Sequence, residues 1–202
     1  MTIGDFYAMS SDDIHGALIA DSVKDEVVDA FRLLTGEEPP SELVFRQEFG
    51  RYLRDFVATT HAVLDLISSR IVTLFADHGF TGWKVYPAEI RLRSGVVHRD
   101  HSLLVVTGRC GPIDDSKAPI RRRRQTDKGG STERVWVGLH FDPATWDGSD
   151  LFVPQGSGFV IVTKPVRDCL VEAKVTNVDL ENCAEIERMV FRTRKPRKST
   201  GQ

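Results

Sequence analysis

Three residues in the segment VHRDH have side chains that bind metal ions in many proteins: His98, Asp100 and His101. Imidazole nitrogens and carboxylate oxygens are common ligands of zinc and of other transition metals. In an extended strand His98 and Asp100 lie on one face and His101 on the other, so the three converge only where the strand bulges. No second pair of ligands stands at a recognisable spacing, and His140 is isolated in the sequence. The pattern favours a polar hairpin end over a metal site, and we predict no cofactor.

Cys110, in the segment GRCGPID, is the candidate nucleophile of the chain. The nearby glycines favour a turn that exposes the thiol, and Arg109 is a neighbour of the kind that lowers a thiol pKa. Nucleophilic catalysis also needs a base and an orienting group, and the sequence does not place His98, His101 or His140 beside the cysteine. Phosphate-binding glycine loops, nucleophile elbows, zinc-finger spacings and kinase signatures are absent from the sequence. We therefore predict that the protein is not an enzyme, and a metal or thiol enzyme is the weakest of three hypotheses.

The densest charge in the sequence is a run of four arginines, from Arg121 to Arg124. Adjacent guanidinium groups repel one another unless solvent or an anionic partner offsets their charge, so the run suits either an acidic protein surface or nucleic acid. Aromatic residues are absent from positions 117–134, so stacking on bases is unsupported there. Sequence-specific recognition of nucleic acid is therefore disfavoured, and the run suits a loop that docks a protein about as well as a loop that is merely solvated. The alternative is a nucleic-acid-associated factor that uses the arginine run and the basic C-terminal tail.

Two other features near this run suit contact with a partner. Asp114 and Asp115, followed by Ser116, form a turn with an Asx-type cap and offer carboxylates to a basic partner. Trp146 lies in the turn-rich segment FDPATWDGSD, which makes it the best placed of the three tryptophans for an exposed interface anchor. The candidate partner-binding residues are Asp114, Asp115, Arg121, Arg122, Arg123, Arg124 and Trp146.

The composition is that of an ordinary globular protein. The chain has 202 residues, of which 41% are hydrophobic and 28% charged, and no apolar run reaches the roughly 18 residues that a membrane helix needs. The three cysteines, Cys110, Cys169 and Cys183, are an odd number without metal-binding spacing, which is typical of free thiols in a reducing compartment. We predict a cytoplasmic protein that does not act on a membrane.

The net charge of −2 conceals an uneven distribution. Residues 1–50 contain eleven Asp and Glu against three Lys and Arg, whereas residues 188–202 contain six Lys and Arg and no acid. Such asymmetry either steers partners of opposite charge or simply keeps the surface solvated.

The elements that must position these residues include one unit that occurs twice. Residues 66–85 (LISSRIVTLFADHGFTGWKV) align without a gap with residues 161–180 (IVTKPVRDCLVEAKVTNVDL). In both copies an apolar run ends in a hydroxyl residue suited to capping a helix, Ser68 or Thr163, and apolar positions three and four apart follow. A threonine with Gly82 or Asn177 then turns the chain into a second apolar run. The repeat predicts two strand, helix, strand units side by side in one core.

The rest of the chain is interpreted as strands around these units. The patterns indicate strands over residues 3–8, 42–49, 52–58, 83–93, 101–107, 134–141 and 151–153, a β-hairpin of 83–93 with 101–107, and an amphipathic helix over 23–35. Residues 52–77 would also suit one long helix, although the pair Ser68 and Ser69 favours a break. Residues 108–134 are rich in Gly, Pro, Ser and charge, which predicts a long charged loop. We predict one α+β domain over residues 1–191, with a mixed sheet and packed helices, an acidic part over 1–50, and a disordered basic tail over 192–202.

The order of these pieces resembles a family of immunity proteins that accompany polymorphic toxins in bacteria, myxobacteria above all. The resemblance rests on LISSR, a helix and GFTGW, then YPAEI, LLVVT and GPIDDS, and finally DLF, IVTKPV and TNV, and it covers residues 52–191. It implies a small α+β protein that binds and neutralises a cognate protein toxin in the cytoplasm, with no catalytic residues. The acidic first fifty residues would suit a basic toxin such as a nuclease. The resemblance carries no statement about oligomeric state.

Overall fold

The computed structural model describes most of the chain, namely residues 2–11, 16–23, 33, 37, 39, 42–61, 64–124, 130 and 132–190. The helix predicted over residues 23–35 lies outside the described residues apart from Val23 and Leu33, of which Leu33 is helical and buried. The basic tail over residues 192–202 also lies outside them.

Most of the described structure is β-strand. The strands are β1 (Phe6–Ser11), β2 (Ile19–Ser22), β3 (Leu43–Phe49), β4 (Phe56–Thr59), β5 (Asp65–Ser68), β6 (Trp83–Arg91), β7 (Val97–Val106), β8 (Gly108–Cys110), β9 (Ile120–Arg124), β10 (Thr132–Val137), β11 (Leu151–Pro154), β12 (Val160–Thr163), β13 (Val178–Asn182) and β14 (Glu187–Met189). They are joined by two α-helices, α1 (Ser69–Asp77) and α2 (Lys164–Glu172), and by single 3-10 turns at Ile3–Asp5, Asp115–Lys117 and Pro143–Thr145. The predicted α+β class, a mixed sheet with packed helices, is therefore wrong, because the described residues are mostly β and include a closed barrel.

The strands that the sequence does not predict lie largely in the charged segment, residues 108–134. Residues 108–134, which have the composition of a loop, contain β8, β9 and the start of β10. All five residues of β9 are exposed, so this strand lacks the alternation of apolar and polar residues that reveals a half-buried strand in a sequence. The charged segment is therefore ordered over β8, the turn at Asp115–Lys117 and β9.

Six strands close a barrel in the order β2-β3-β6-β7-β5-β4. β6 and β7 form the long antiparallel hairpin that the sequence predicts, and β2 pairs with β4 in parallel to complete the ring. Alternate side chains along each strand point inward. The interior is filled by buried residues that include Leu18, Phe45, Leu66, Ile90 and Leu103.

A five-stranded sheet combines the second half of the chain with one strand from its beginning, in the order β13-β1-β12-β11-β8. β1 lies between β13 and β12 and is antiparallel to both. Because a central strand has hydrogen-bonded neighbours on both sides, residues 6–11 are integral to a sheet whose other strands lie between residues 108 and 182. β10 is the middle strand of a separate antiparallel sheet, β14-β10-β9.

The two strand, helix, strand segments belong to a longer repeat with a spacing of 95 positions. β4 and β11, β5 and β12, α1 and α2, and β6 and β13 all begin at this spacing (56 and 151, 65 and 160, 69 and 164, 83 and 178). β1 and β7 follow the same rule. Tyr7 of β1 pairs with Val162, and Ser102 of β7 pairs with Ile67, so that each residue of one pair is 95 positions from its counterpart in the other. β1 nevertheless lies in the sheet of the second half and β7 in the barrel of the first. The two halves of the sequence have therefore exchanged their first strands.

Both helices contribute to one hydrophobic cluster that joins the barrel to the five-stranded sheet. Ile71 and Phe75 of α1 and Val166 and Leu170 of α2 are all buried in it, and these pairs too are 95 positions apart. Complete burial of such a side chain stabilises the folded state by about 1.5–3 kcal/mol. The two repeated segments therefore share a single core.

Candidate functional site

The junction between the halves is built from two aspartates that use their oxygens in the same way. Asp55 Oδ2 accepts hydrogen bonds from the backbone N–H (3.0 Å) and the hydroxyl (2.9 Å) of Thr176. Asp150 Oδ2 accepts them from the backbone N–H (2.9 Å) and the hydroxyl (2.9 Å) of Thr81. Each carboxylate thereby ties its own half of the molecule to the turn that follows the helix of the other half.

Ser68 and Thr163 stand at the N-caps of α1 and α2, yet neither side chain caps its helix, so the predicted capping role is wrong. Their hydroxyls donate instead to Asp55 (3.0 Å) and Asp150 (3.2 Å). Arg70 adds an ion pair to Asp55 at 2.8 Å. Burial by itself raises the pKa of Asp55, but the hydrogen bonds that the carboxylate accepts outweigh burial and hold the pKa below its ordinary value. The hydrogen bonds of these two carboxylates therefore connect the two halves of the fold.

His98, Asp100 and His101 lie close together on β7 without forming a metal site. Asp100 Oδ1 is 3.1 Å from His101 Nδ1 and 3.9 Å from His98 Nδ1. His101 is buried, and its Nε2 lies 2.9 Å from the backbone oxygen of Arg54, so both of its ring nitrogens have partners within the protein. Within the described ranges, no three His, Cys, Asp or Glu side chains are grouped so as to hold a metal ion.

Cys110 is buried, and its thiol donates to the carbonyl oxygen of Gly111 at 3.3 Å. Burial, together with the nearby Asp147 carboxylate, raises the pKa of Cys110 to about 11. Arg109, which we expected to lower this pKa, donates to two backbone carbonyl oxygens at 2.8 and 2.7 Å. A thiol with so high a pKa is almost wholly protonated at neutral pH and is a poor nucleophile.

An open cleft of about 350 Å³ lies between the halves and is lined by Thr81, Gly82, Thr107, Gly108, Asp147, Gly148 and Ser149. The charged side chain in this lining is Asp147, which accepts hydrogen bonds from the backbone N–H groups of Arg109 (2.7 Å) and Ser149 (3.0 Å). Because these donors belong to the backbone, they fix the carboxylate in place. The cleft therefore marks a place where the two halves of the molecule meet.

The four predicted arginines lie on β9, an outer strand of the sheet β14-β10-β9, and alternate between its two sides. Arg121 and Arg123 point to one side. Arg123 forms ion pairs with Glu133 (2.6 Å) and Glu187 (3.1 Å), and Arg121 also pairs with Glu187. Two guanidiniums meet two carboxylates here, so we call this side, defined by Arg121, Arg123, Glu133 and Glu187, the neutral face.

The other side of the same sheet has a different charge balance. Arg122 lies directly across from Arg134 of β10, and Arg124 lies across from Thr132. The three arginines are exposed, and none of them has an ion pair within the part of the chain that the structure describes. We call Arg122, Arg124 and Arg134 the basic face.

One end of the basic face is apolar and lies beside Asp115, which is one of the predicted contact residues. Trp136 follows Arg134 on the same side of β10 and pairs across the sheet with Ile120, which is 47% exposed. The Arg188 guanidinium lies 5.7 Å from the centre of the Trp136 ring and forms an ion pair with Asp115 at 2.6 Å.

The two remaining predicted contact residues have local structural partners. Asp114 accepts a hydrogen bond from the backbone N–H of Ser116 at 3.0 Å, which is the cap that the sequence indicates. Trp146 is half-buried instead of exposed: its ring meets Phe6 edge-on at 5.2 Å, and its Nε1–H donates to the carbonyl oxygen of Ser149 at 2.9 Å. The sheet thus unites the arginine run with Asp115, whereas Trp146 belongs to another hydrophobic cluster.

The described residues form a β-rich scaffold that presents a charged sheet, and Asp55, Asp150, His101 and Cys110 have their partners inside the protein. The model of the Immunity protein family (Imm11) matches residues 14–185, and the chain belongs to this family. The resemblance inferred from the sequence is thereby confirmed, and membership implies a toxin as partner. No curated protein matches the chain. None of the helices described in the structure is long and apolar enough to cross a membrane.

Proposed function

We propose that this protein neutralises a cognate toxin of a bacterial polymorphic toxin system by binding it directly in the cytoplasm. The observation that carries the proposal is the family match over residues 14–185. A rigid scaffold inhibits a toxin by covering its active site or by holding it in an inactive shape. Complementary charge sets the association rate and excludes wrong partners.

The state of the reactive side chains supports inhibition by binding rather than by chemistry. Asp55 and Asp150 are consumed by hydrogen bonds between the halves, His101 is buried with both nitrogens engaged, and the pKa of Cys110 is raised to about 11. A group must be accessible and suitably ionised to act as a base or nucleophile. Hydrogen bonds occupy Asp55, Asp150 and His101, and the raised pKa keeps the Cys110 thiol protonated at neutral pH.

The cysteines support the cytoplasmic part of the proposal. Cys110 and Cys183 lie in the same hydrophobic cluster, and both are free thiols. Cys169 is free as well. Buried thiols left unpaired are typical of proteins from reducing compartments.

Co-expression with the toxin tests the proposal. The cognate toxin, sought first among the genes next to this chain's gene, is expressed with and without the chain in a sensitive host. We expect growth to be rescued by the chain, and a stoichiometric complex of the two proteins to co-purify.

Recovery of the toxin from that complex separates binding from modification. The complex is unfolded, the chain is removed, and the toxin is refolded and assayed beside toxin that never met the chain. Equal activity of the two samples supports inhibition by binding. Failure of the chain to rescue growth, or a toxin that stays inactive after separation, contradicts the proposal.

A further inference from the structure

The two sides of the sheet β14-β10-β9 differ in charge although the same run of arginines supplies both. On the neutral face, two guanidiniums are offset by Glu133 and Glu187. On the basic face, Arg122, Arg124 and Arg134 bring three positive charges without a paired carboxylate from the described residues. The pairing of the charges, and not their number along the chain, distinguishes the two sides.

This arrangement opposes the stability of the sheet. Residues directly opposite in an antiparallel pair have Cβ atoms about 4.5–5.5 Å apart, and like charges at such positions destabilise the pair. Arg122 and Arg134 stand in this relation. The neutral face shows that the same strands accommodate glutamates beside arginines, so the local backbone does not require the uncompensated charge of the basic face.

We infer that the basic face is the docking surface for an acidic region of the toxin, an inference that rests on the proposed function. Guanidinium groups bind carboxylates through paired, charge-assisted hydrogen bonds. Ile120 and Trp136 supply an apolar margin next to the three arginines. Arginine beside aromatic and apolar side chains is the composition of energetic centres in protein interfaces.

The surroundings favour a protein over nucleic acid as the occupant. One side of the Trp136 ring is occupied by Arg188, which is itself held by Asp115 at 2.6 Å, so the ring is not an open platform for a base. The chain has a net charge of −2 and a pI of about 6.3, whereas domains that bind nucleic acid commonly have a pI above about 9. An acidic protein surface needs neither stacking nor a basic chain.

Two double variants of the same strand test the inference. R122S/R124S removes two charges from the basic face, and R121S/R123S removes two charges from the neutral face. The variants match in residue type, strand and change in net charge, and thermal unfolding confirms that both are folded. Each is titrated with the cognate toxin, with a poly-glutamate peptide and with a single-stranded RNA oligonucleotide, at low and at high salt.

We expect R122S/R124S to raise the Kd for the toxin roughly tenfold or more, mainly through slower association at low salt. We also expect this variant no longer to bind the poly-glutamate peptide. We expect R121S/R123S to bind the toxin and the poly-glutamate peptide as the wild type does. Equal weakening by the two variants, or unchanged toxin binding by R122S/R124S, overturns the inference while the proposed function stands. RNA binding that R122S/R124S alone abolishes, with toxin affinity unchanged, identifies nucleic acid as the occupant and also overturns it. A wild-type chain that neither binds nor neutralises the toxin overturns the proposed function and this inference together.

Discussion

Asp55 and Asp150 make the same set of hydrogen bonds, each to a threonine in the other half of the molecule. The two aspartates are 95 positions apart, and so are their partners Thr176 and Thr81. Even the reverse contact is repeated, since the backbone N–H of each aspartate donates to the hydroxyl of the same threonine, at 3.0 and 3.2 Å. The repeat therefore governs the polar contacts between the halves as well as their strands and helices.

Replacing either aspartate by alanine should destabilise the fold. Asp55→Ala leaves the donors of Thr176 and Ser68 without this acceptor and removes the ion pair with Arg70, and we expect a loss of about 3 kcal/mol in the free energy of unfolding. Asp150→Ala has no ion pair to lose among the described residues, so we expect a smaller loss of about 2 kcal/mol. Denaturant titration of both variants measures the difference.

Asp77→Ala is the control for these two changes. Asp77 is an exposed aspartate at the end of α1, and its replacement should alter the free energy of unfolding by less than about 0.5 kcal/mol. Equal stability of Asp55→Ala and Asp77→Ala would show that the junction between the halves does not depend on this carboxylate.

Residues 1–11 should be indispensable to the fold. Deleting residues 1–11 removes β1 from the middle of the five-stranded sheet and takes buried Phe6 and Met9 from two hydrophobic clusters. We expect the truncated chain to lose cooperative unfolding, and a synthetic peptide of residues 2–11 to restore it in part. Circular dichroism during heating provides the measurement, and a shortened chain with a normal melting curve would contradict the exchange of strands.

Asp65 should make stability fall as the pH rises from about 4 to about 6. Burial raises the pKa of Asp65 from 3.8 to about 6, and hydrogen bonds from Ser11 oppose this only in part. Between these two values the folded state binds more protons than the unfolded state, so the charged carboxylate penalises the fold once the pH exceeds about 6. Asp65→Asn removes the penalty. Relative to the wild type, we expect the variant to gain about 2 kcal/mol between pH 4.5 and pH 7.5, measured by urea unfolding at each pH. A constant difference across this range would contradict the raised pKa.

Charge reversals on β9 should change stability in opposite directions. Arg122→Glu places a carboxylate opposite Arg134 and should stabilise the sheet by about 0.5 kcal/mol while weakening toxin binding. Arg123→Glu breaks the ion pairs with Glu133 and Glu187 and should destabilise the sheet by about 1 kcal/mol while leaving binding intact. Denaturant titration and toxin binding are measured on both variants. A variant of Arg122 that is less stable than the wild type would show that this arginine has a structural role.

The thiol of Cys110 should be dispensable and slow to react. Its raised pKa of about 11 and its burial predict slow alkylation by iodoacetamide at neutral pH in the folded protein and rapid alkylation after unfolding. Cys110→Ala should leave protection against the toxin unchanged, and His98→Ala, at an exposed part of β7, should do the same. Loss of protection in a folded Cys110→Ala variant would restore the thiol hypothesis.

The sequence predicts the repeat correctly where apolar and turn residues recur, because burial imposes the same periodicity on both copies. Ile71 over Val166 and Phe75 over Leu170 are such positions, and Gly82 and Asn177 both have a positive φ at the turn after the helix. The alignment stops short of the aspartates. A signal for them exists, since Asp55 and Asp150 each lie 13 residues before the hydroxyl residue to which they bind. Their role could not be deduced because it depends on Thr176 and Thr81, which only the folded chain brings near.

The fold class was mispredicted because β8 and β14 are short, β9 is exposed on both sides, and the strand patterns do not reveal that six strands close into a barrel. In β9 every side chain is charged or exposed, so neither periodicity nor composition separates it from a loop. The arginine run is visible in the sequence, but its division into a neutral and a basic face is not, because Glu133 and Glu187 are distant in the chain from Arg121. Arg134 and Trp136 were not predicted as contact residues, although the alternation in TERVWV places both on one side of a strand.

The interior position of β1 has a consequence for synthesis on the ribosome. β1 emerges before its neighbours β12 and β13, which begin at residues 160 and 178, so the nascent strand stays without its partners until those residues have been translated. The barrel strands between residues 19 and 106 meet all their neighbours earlier. β14 follows at residues 187–189, so chains that stop before residue 178 lack both β13 of the five-stranded sheet and β14 of the sheet that carries the arginines. Both sheets are therefore complete only in chains that extend beyond residue 189.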